Sequence, residues 1–196
     1  MRINKKISKI KKVILLKWNI LLFKIFEKPI FKYVGSHISI GKDYSFLNHN
    51  HISIGTDFTS LERLRIEAIV KYGSQIFDPE IVIGNNVTFN TDIHIGCINK
   101  IQIGNNVLLA SRIFISDHSH GDSTIESISV PPNSRPLISK GPVVIEDNVW
   151  IGEGVSILAN VTIGKNSIIG ANSVVTKSFE QNSIIAGVPA KLIKKI

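Results

Sequence analysis

The chain has 196 residues, enough for one domain with a full core, and 43% hydrophobic with 19% charged residues excludes a disordered or fibrous chain. Its formal charge of +8 is unevenly spread: residues 1–32 carry ten Lys/Arg and one acid, giving +9, while the rest sums to −1. A near-neutral body excludes a nucleic-acid binder with a basic footprint over its surface, and the single cysteine, Cys97, excludes a disulfide framework or Cys-rich zinc site.

Residues 1–32 form a basic, apolar N-terminal segment. Val13–Phe26 is apolar but short for a membrane span, and Lys17 and Lys24 interrupt it. Each lysine would cost about 2.5–3.5 kcal/mol near a bilayer centre. No small-residue cleavage pattern precedes EKPIFKY, so a secretory leader is not expected. The pattern predicts a helix that ends before Pro29. Lysines combined with Trp18, Phe23 and Phe26 suit peripheral contact with an anionic membrane surface. Packing on the body or on a neighbouring subunit is the alternative. A lone cysteine fits a cytoplasmic location, with the inner face of the cell membrane as the place of such contact.

A six-residue period governs the rest. From residue 145 onward every sixth position is β-branched: Ile145, Ile151, Ile157, Ile163, Ile169 and Val175. A second ladder precedes it at Val149, Val155 and Val161, continuing as Ser167 and Ser173. The order recurs upstream at Ile83, Phe89, Ile95 and Ile101, and, shifted by two, at Ile103, Leu109 and Ile115. A period of six fits neither an amphipathic helix nor an alternating strand. It fits a short strand and a tight bend, with one aliphatic side chain per flat side pointing inward. Gly, Asn and Asp around the bends (IGNN, IEDN, IGKN) tolerate the positive φ of a sharp corner. Three sides close a coil of 18 residues, and stacked coils share one core.

These hexapeptides, with NVWIG, IIGANSVVTK and AGVPAK downstream, resemble the left-handed parallel β-helix acyltransferases. The fold class implied is an all-β solenoid, with an N-terminal helical segment, one extruded loop and a short C-terminal tail or helix. The left-handed β-helix is expected over residues 33–178, its extruded loop over about 117–141, and a tail completing the donor site over 179–196. The left-handed sense, a homotrimer with sites shared between subunits, and acetyl-CoA as co-substrate all follow from the resemblance.

The six-residue order stops at Ser116 and resumes near Val143. The interruption opens with Asp117-His118-Ser119-His120, where alternate histidines of an extended segment face one side. A histidine near neutral pKa can deprotonate a hydroxyl during attack on a thioester. In the resembling sugar O-acetyltransferases a histidine at this point is the general base. An ungapped match from Ile115-Ser116 places it at His120, and a match with one gap places it at His118; His120 is the expected base, with His118 helping to position the acceptor, and Asp117 is placed to orient an imidazole. By the same carry-over, the donor contacts are the Glu153 backbone, Ala171, Thr176, Lys177, Lys191 and Lys194. A backbone N–H near Glu153 is placed to stabilise an oxyanion. Asn90 matches a sugar-contacting asparagine of the family. Asp92 and His94 follow at alternate positions on one face if extended, and Trp150 could wall the acceptor site. Arg135 in the loop is a candidate contact for an acidic sugar.

The function expected is acetyl transfer from acetyl-CoA to a sugar hydroxyl of a bacterial surface polysaccharide or its lipid-linked precursor. A glycan acceptor is implied and nucleic acid is not. Alternatives are acetylation of a free sugar, a nucleotide-linked amino sugar or a xenobiotic, and a zinc site of the γ-carbonic-anhydrase type using His94, His118 and His120. A structural solenoid would leave the histidine loop unexplained. No metal is expected.

Overall fold

The computed structural model describes Lys17, Trp18 and residues 20–196. The basic run from Arg2 to Lys12 and the start of the apolar stretch at 13–16 lie outside the described residues.

From Tyr33 onward the chain visits three sheets in strict rotation. Strands of one sheet pair in parallel, each separated in sequence from its neighbour by one visit to the other two. The path is therefore a three-sided solenoid. On the first sheet Val34, Ile54, Ile83, Ile103, Ile145 and Ile163 stand in register. On the third, Phe46, Ile66, Ile95, Ile115, Ile157 and Val175 do the same. Most of these aliphatics have no exposed surface, because three inward-facing ladders meet at the axis and fill it.

The coil length changes along the axis. Ile145 stands beside Ile163, the expected step of 18 residues, but Ile83 stands beside Ile103, a step of 20. The two extra residues lie at the corner between the third and first sheets, where strand Ile93–Cys97 runs on and Ile98-Asn99 makes the turn. This is the physical origin of the two-residue register shift in the sequence. The first coil makes the same two-residue addition at this corner, where His49–His51 forms a 3₁₀ turn and Val34 stands beside Ile54. Two longer excursions leave through the same corner in other coils: a hairpin pairing Lys71–Tyr72 with Gln75–Ile76, and the extruded segment after Ser116.

The corner between the first and second sheets stays tight. Asn86, Asn106, Asn148, Asn166 and Asn182 occupy it at φ of 53–61°. Each Asn side chain in this row donates to the next, with N···O of 2.9–3.1 Å from Asn86 through to Asn182. Asparagine tolerates the left-handed backbone and carries both donor and acceptor, so one residue type serves the bend and the ladder.

The solenoid continues past residue 178. Ser183–Gly187 joins the second sheet in parallel beside Ile168–Ile169; Ile169, Val175 and Ile185 still fill the core, while Ser167, Ser173 and Ser183 beside them are buried and hydrogen-bonded. The chain then reverses, and Ala190–Lys195 pairs antiparallel with Ser183–Gly187. The expected tail or helix is thus a strand, which covers the edge the last coil would otherwise leave unpaired.

At the other end, Lys17, Trp18 and Ile20–Leu22 are helical, followed by a π turn at Phe23–Glu27 and a 3₁₀ turn at Lys28–Ile30. Helical backbone thus passes through Pro29 instead of ending before it, because the proline sits in the first turn of the 3₁₀ segment, where its missing N–H is not needed. Phe23, 1% exposed, plugs the first coil against Phe31, Tyr44 and Phe46, with ring centroids 5.7–6.3 Å away.

Candidate active site

A cleft of about 470 Å³ opens on the outer side of the third sheet. Its floor is Arg65, His94 and Phe114 from successive coils, paired side by side. The extruded segment supplies His118, His120 and Leu137, and the hairpin supplies Lys71 and Tyr72.

The two insertions brace each other. Gln75 donates from Nε2 to the Leu137 carbonyl at 3.1 Å and accepts from the Leu137 N–H at 2.7 Å. Tyr72 donates to the Asn133 carbonyl at 2.6 Å, and its ring meets the His120 ring edge-on. Sequence reasoning missed this hairpin. Arg135 is taken up within the loop, donating to the carbonyls of Val130 and Ile128.

Asp117 turns inward. Its carboxylate has no exposed surface and accepts from the N–H of Ile98 at 2.9 Å and of Asn99 at 2.8 Å. The Cys97 thiol points at it from 3.2 Å, and His118 Nδ1 lies 3.0 Å away. Burial by itself would raise the Asp117 carboxyl, but the donors from His118, Ile98, Asn99 and Cys97 outweigh it and hold the group below the usual carboxylate range. Burial, then the neighbouring Asp117 charge, pushes the Cys97 thiol far up, so it stays protonated and donates. An ionised carboxylate can only accept, so His118 Nδ1 carries the proton and Nε2 presents a lone pair. The neighbouring coil leaves room for this ring through Gly96: a Cβ there would stand 3.2 Å from His118 Cε1 and 4.0 Å from Nε2 of both His118 and His94.

His120 is exposed on the two-stranded pairing of Ser119–His120 with Leu137–Ile138, and its Nδ1 is 3.3 Å from the Tyr72 hydroxyl. Of the two loop histidines, only His118 has a carboxylate partner among the described residues. His94 shares the cleft and contacts Glu67 through Nε2 at 3.0 Å. Burial would raise Glu67, but Arg65 and His94 together draw it below its ordinary value.

Asn90 and Asp92 do not join the cleft. Asp92 has φ of 60°, which breaks the extended run assumed in placing it beside His94. It turns onto the corner between the second and third sheets and forms a fork with Arg63. Trp150 lies on the outer side of the second sheet, between Leu108 and Ile168, and is 51% exposed.

The expected donor contacts lie on other parts of the same chain. Glu153 and Ala171 stack at the corner between the second and third sheets, where Gly152, Gly154 and Asn172 use their N–H groups to stitch coils together. The N–H groups of Glu153 and Ala171 take part in no hydrogen bond among the described residues. The Glu153 side chain instead pairs with Arg112 at 2.8 Å. Thr176 and Lys177 follow strand Val174–Val175, and Lys177 Nζ sits 5.7 Å from the Phe179 ring centroid. Lys191 and Lys194 are exposed on the last strand and form no ion pair among the described residues. His94, His118 and His120 line one cleft without converging, and among the described residues no three His, Cys, Asp or Glu side chains form a metal-binding group.

Comparison with known proteins agrees with this architecture. Residues 142–177 match the family described as Bacterial transferase hexapeptide (six repeats). A solved galactoside acetyltransferase in complex with coenzyme A is 30% identical, superposes with a TM-score of 0.50, and is matched over 86% of this chain and 67% of that one. The chain belongs to the bacterial hexapeptide transferase family. WbbJ of Escherichia coli (strain K12), provisionally named a lipopolysaccharide biosynthesis O-acetyl transferase, is 41% identical over 119 residues, covering 59% of this chain and 60% of that one. The galactoside O-acetyltransferase of the same strain is 38% identical over 64% of this chain and 56% of its own. The matches thus span less than two thirds of these relatives' length. AntD, an N-acyltransferase from Bacillus cereus, shares the fold with a TM-score of 0.72 at 24% identity, over 88% of each chain.

Proposed function

We propose that the protein is an acetyl-CoA-dependent O-acetyltransferase, built on a left-handed coil, that acetylates a sugar hydroxyl of a surface polysaccharide or its lipid-linked precursor. The observation that carries this reading is the Asp117–His118 pair at the cleft: a buried carboxylate holds one ring nitrogen and leaves Nε2 free beside open space. His118 Nε2 takes the proton of the acceptor hydroxyl as its oxygen attacks the thioester carbonyl. The tetrahedral intermediate then expels CoA thiolate, which recovers the proton from the imidazolium. In this reading His118 is the base, supported by its buried carboxylate partner, and exposed His120, with Tyr72, forms the acceptor wall with His94. The galactoside acetyltransferase structure, complexed with coenzyme A, and the O-acetyl transferase name given to WbbJ support the reaction class.

The free N–H groups of Glu153 and Ala171 suit the donor arm and the oxyanion, and Thr176, Lys177, Lys191 and Lys194 suit its polar and phosphate ends. Glu153 and Ala171 stand at the corner between the second and third sheets, and Lys191 and Lys194 on the strand added to the second sheet, whereas the cleft lies on the third sheet. A closed ring of three copies would bring the donor side of one against the cleft of the next, with exposed Leu108 and Trp150 at the joint. Asn90 remains a candidate acceptor contact across that joint.

The test is a CoA-release assay over a panel of glycans, free sugars and sugar nucleotides. His118→Ala should lower turnover by at least a hundredfold and His120→Ala by less. A variant series in which neither change lowers turnover tenfold would remove the general base from the scheme.

A further inference from the structure

The N-terminal helical segment is apolar on the wrong side for a helix that only packs on its own body. Trp18, Leu21 and Leu22 keep the i, i+3, i+4 spacing of one α-helical face, and Ile25 and Phe26 follow them in the π turn. That face points to solvent, with exposures of 57%, 46%, 43%, 53% and 67%. Among the described residues of this stretch only Phe23 is buried in the solenoid, at 1% exposure. Ile30 and Tyr33, both more than half exposed, extend the apolar surface toward the first coil. Lys17 and Lys24 are exposed on the same segment, and residues 1–32 together carry +9 while the body carries −1. Broad apolar face and flanking lysines together are the chemistry of a helix that lies in an anionic lipid interface. Among the described residues no helix is long and apolar enough to cross a membrane, so the segment would lie along the surface.

Its position relative to the cleft gives this surface a use. Phe23 packs against Phe46, and the next residue, Leu47, is an exposed lining residue of the cleft that holds His118. Arg65 and Lys71 line the same cleft. We infer that the outward face of the helix seats the protein on an anionic lipid bilayer, so that the cleft beside it receives an acceptor carried in that bilayer. The acceptor clause rests on the transferase reading; the docking does not.

The experiment uses the full chain with vesicles of phosphatidylcholine alone and of equal parts phosphatidylcholine and phosphatidylglycerol. Co-sedimentation should occur with the mixed vesicles, fail with the neutral ones, and weaken as salt is raised. The double substitution Ile25→Glu with Phe26→Glu should weaken it at least tenfold, and Lys24→Gln should weaken it by a smaller factor. Circular dichroism and thermal unfolding of both variants should match the parent, since neither touches Phe23. Equal vesicle binding by parent and double variant would overturn the docking. So would a parent that ignores vesicles while the double variant changes its molar mass by light scattering, because the face would then join copies of the chain. Vesicle binding as expected, with no acetyl transfer to any acceptor, would leave the docking standing and remove the transferase reading.

Discussion

Replacing Asp117 by Asn tests the centre of the proposed site, because one side chain there serves both stability and chemistry. The carboxylate accepts from four donors: the N–H groups of Ile98 and Asn99, the Cys97 thiol and His118 Nδ1. An amide keeps one accepting oxygen and replaces the other with an NH₂ group that must point at two buried donors. Each buried donor left unsatisfied costs about 1–3 kcal/mol, so the variant should lose about 2–6 kcal/mol. Against a usual total of about 5–15 kcal/mol, urea unfolding would read that loss directly. With Oδ1 replaced by nitrogen, the His118 ring would also be driven to the tautomer protonated at Nε2, removing the base; turnover should fall roughly 10³–10⁴-fold, as in other carboxylate–histidine pairs. The acid limb gives a further check. A carboxyl held below its unfolded value near about 3.9 stabilises the fold above that pH and loses this contribution as pH falls through the folded value. The parent should therefore lose stability in acid through this group, and the Asn variant should lack that part of the slope. An Asn variant within about 0.5 kcal/mol of the parent, and within tenfold in turnover, would refute the account of the corner and of the base.

Other substitutions separate packing from chemistry. Gly96→Ala should leave the solenoid folded but push the His118 imidazole by a few tenths of an ångström, lowering turnover about tenfold or more with little change in melting temperature. Ser60 stands in the second-sheet ladder between Ile40 and Phe89, 2% exposed, with a hydroxyl that finds no partner among the described residues. Ser60→Ala should therefore stabilise the protein by about 1 kcal/mol in urea unfolding, and a loss of stability would show that the hydroxyl is satisfied.

The sequence period made the solenoid legible because inward positions of a flat-sided coil accept little besides aliphatic side chains. The fixed step of six failed only where the corner between the third and first sheets lengthens, since a two-residue addition erases phase without erasing hydrophobicity. The histidine cluster was visible as a cluster, but its internal assignment was not. Asp117 is recognisable as the partner of His118 only once the turn at Ile98-Asn99, about twenty residues earlier in the chain, is brought against it. The same turn brings the Cys97 thiol onto Asp117, a contact across twenty residues that no local pattern marks. Asp92 misled because alternation presumes extended backbone, and a single left-handed residue swings the side chain onto a different edge. The hairpin at Lys71–Ile76 was silent because strands of two residues leave no periodic trace. The outward apolar stripe near the N-terminus was readable as a composition, whereas the direction it faces is decided by contacts distant in sequence: Phe23 on Phe46, Glu27 on His49 and Lys28 on the Gly35 carbonyl.

All departures from tight winding leave through one seam, and that placement bears on how such a chain can change over time. Lengthening a surface loop costs little, since each doubling adds only about 0.6 kcal/mol of closure entropy. An insertion at the Asn row would instead interrupt a ladder shared by many coils. The molecule therefore has one edge open to revision and two that hold the count. New acceptor specificities can be written into the hairpin and the histidine loop while the stacked coils beneath remain the same, so descendants of one scaffold can diverge in substrate without having to rediscover how to fold.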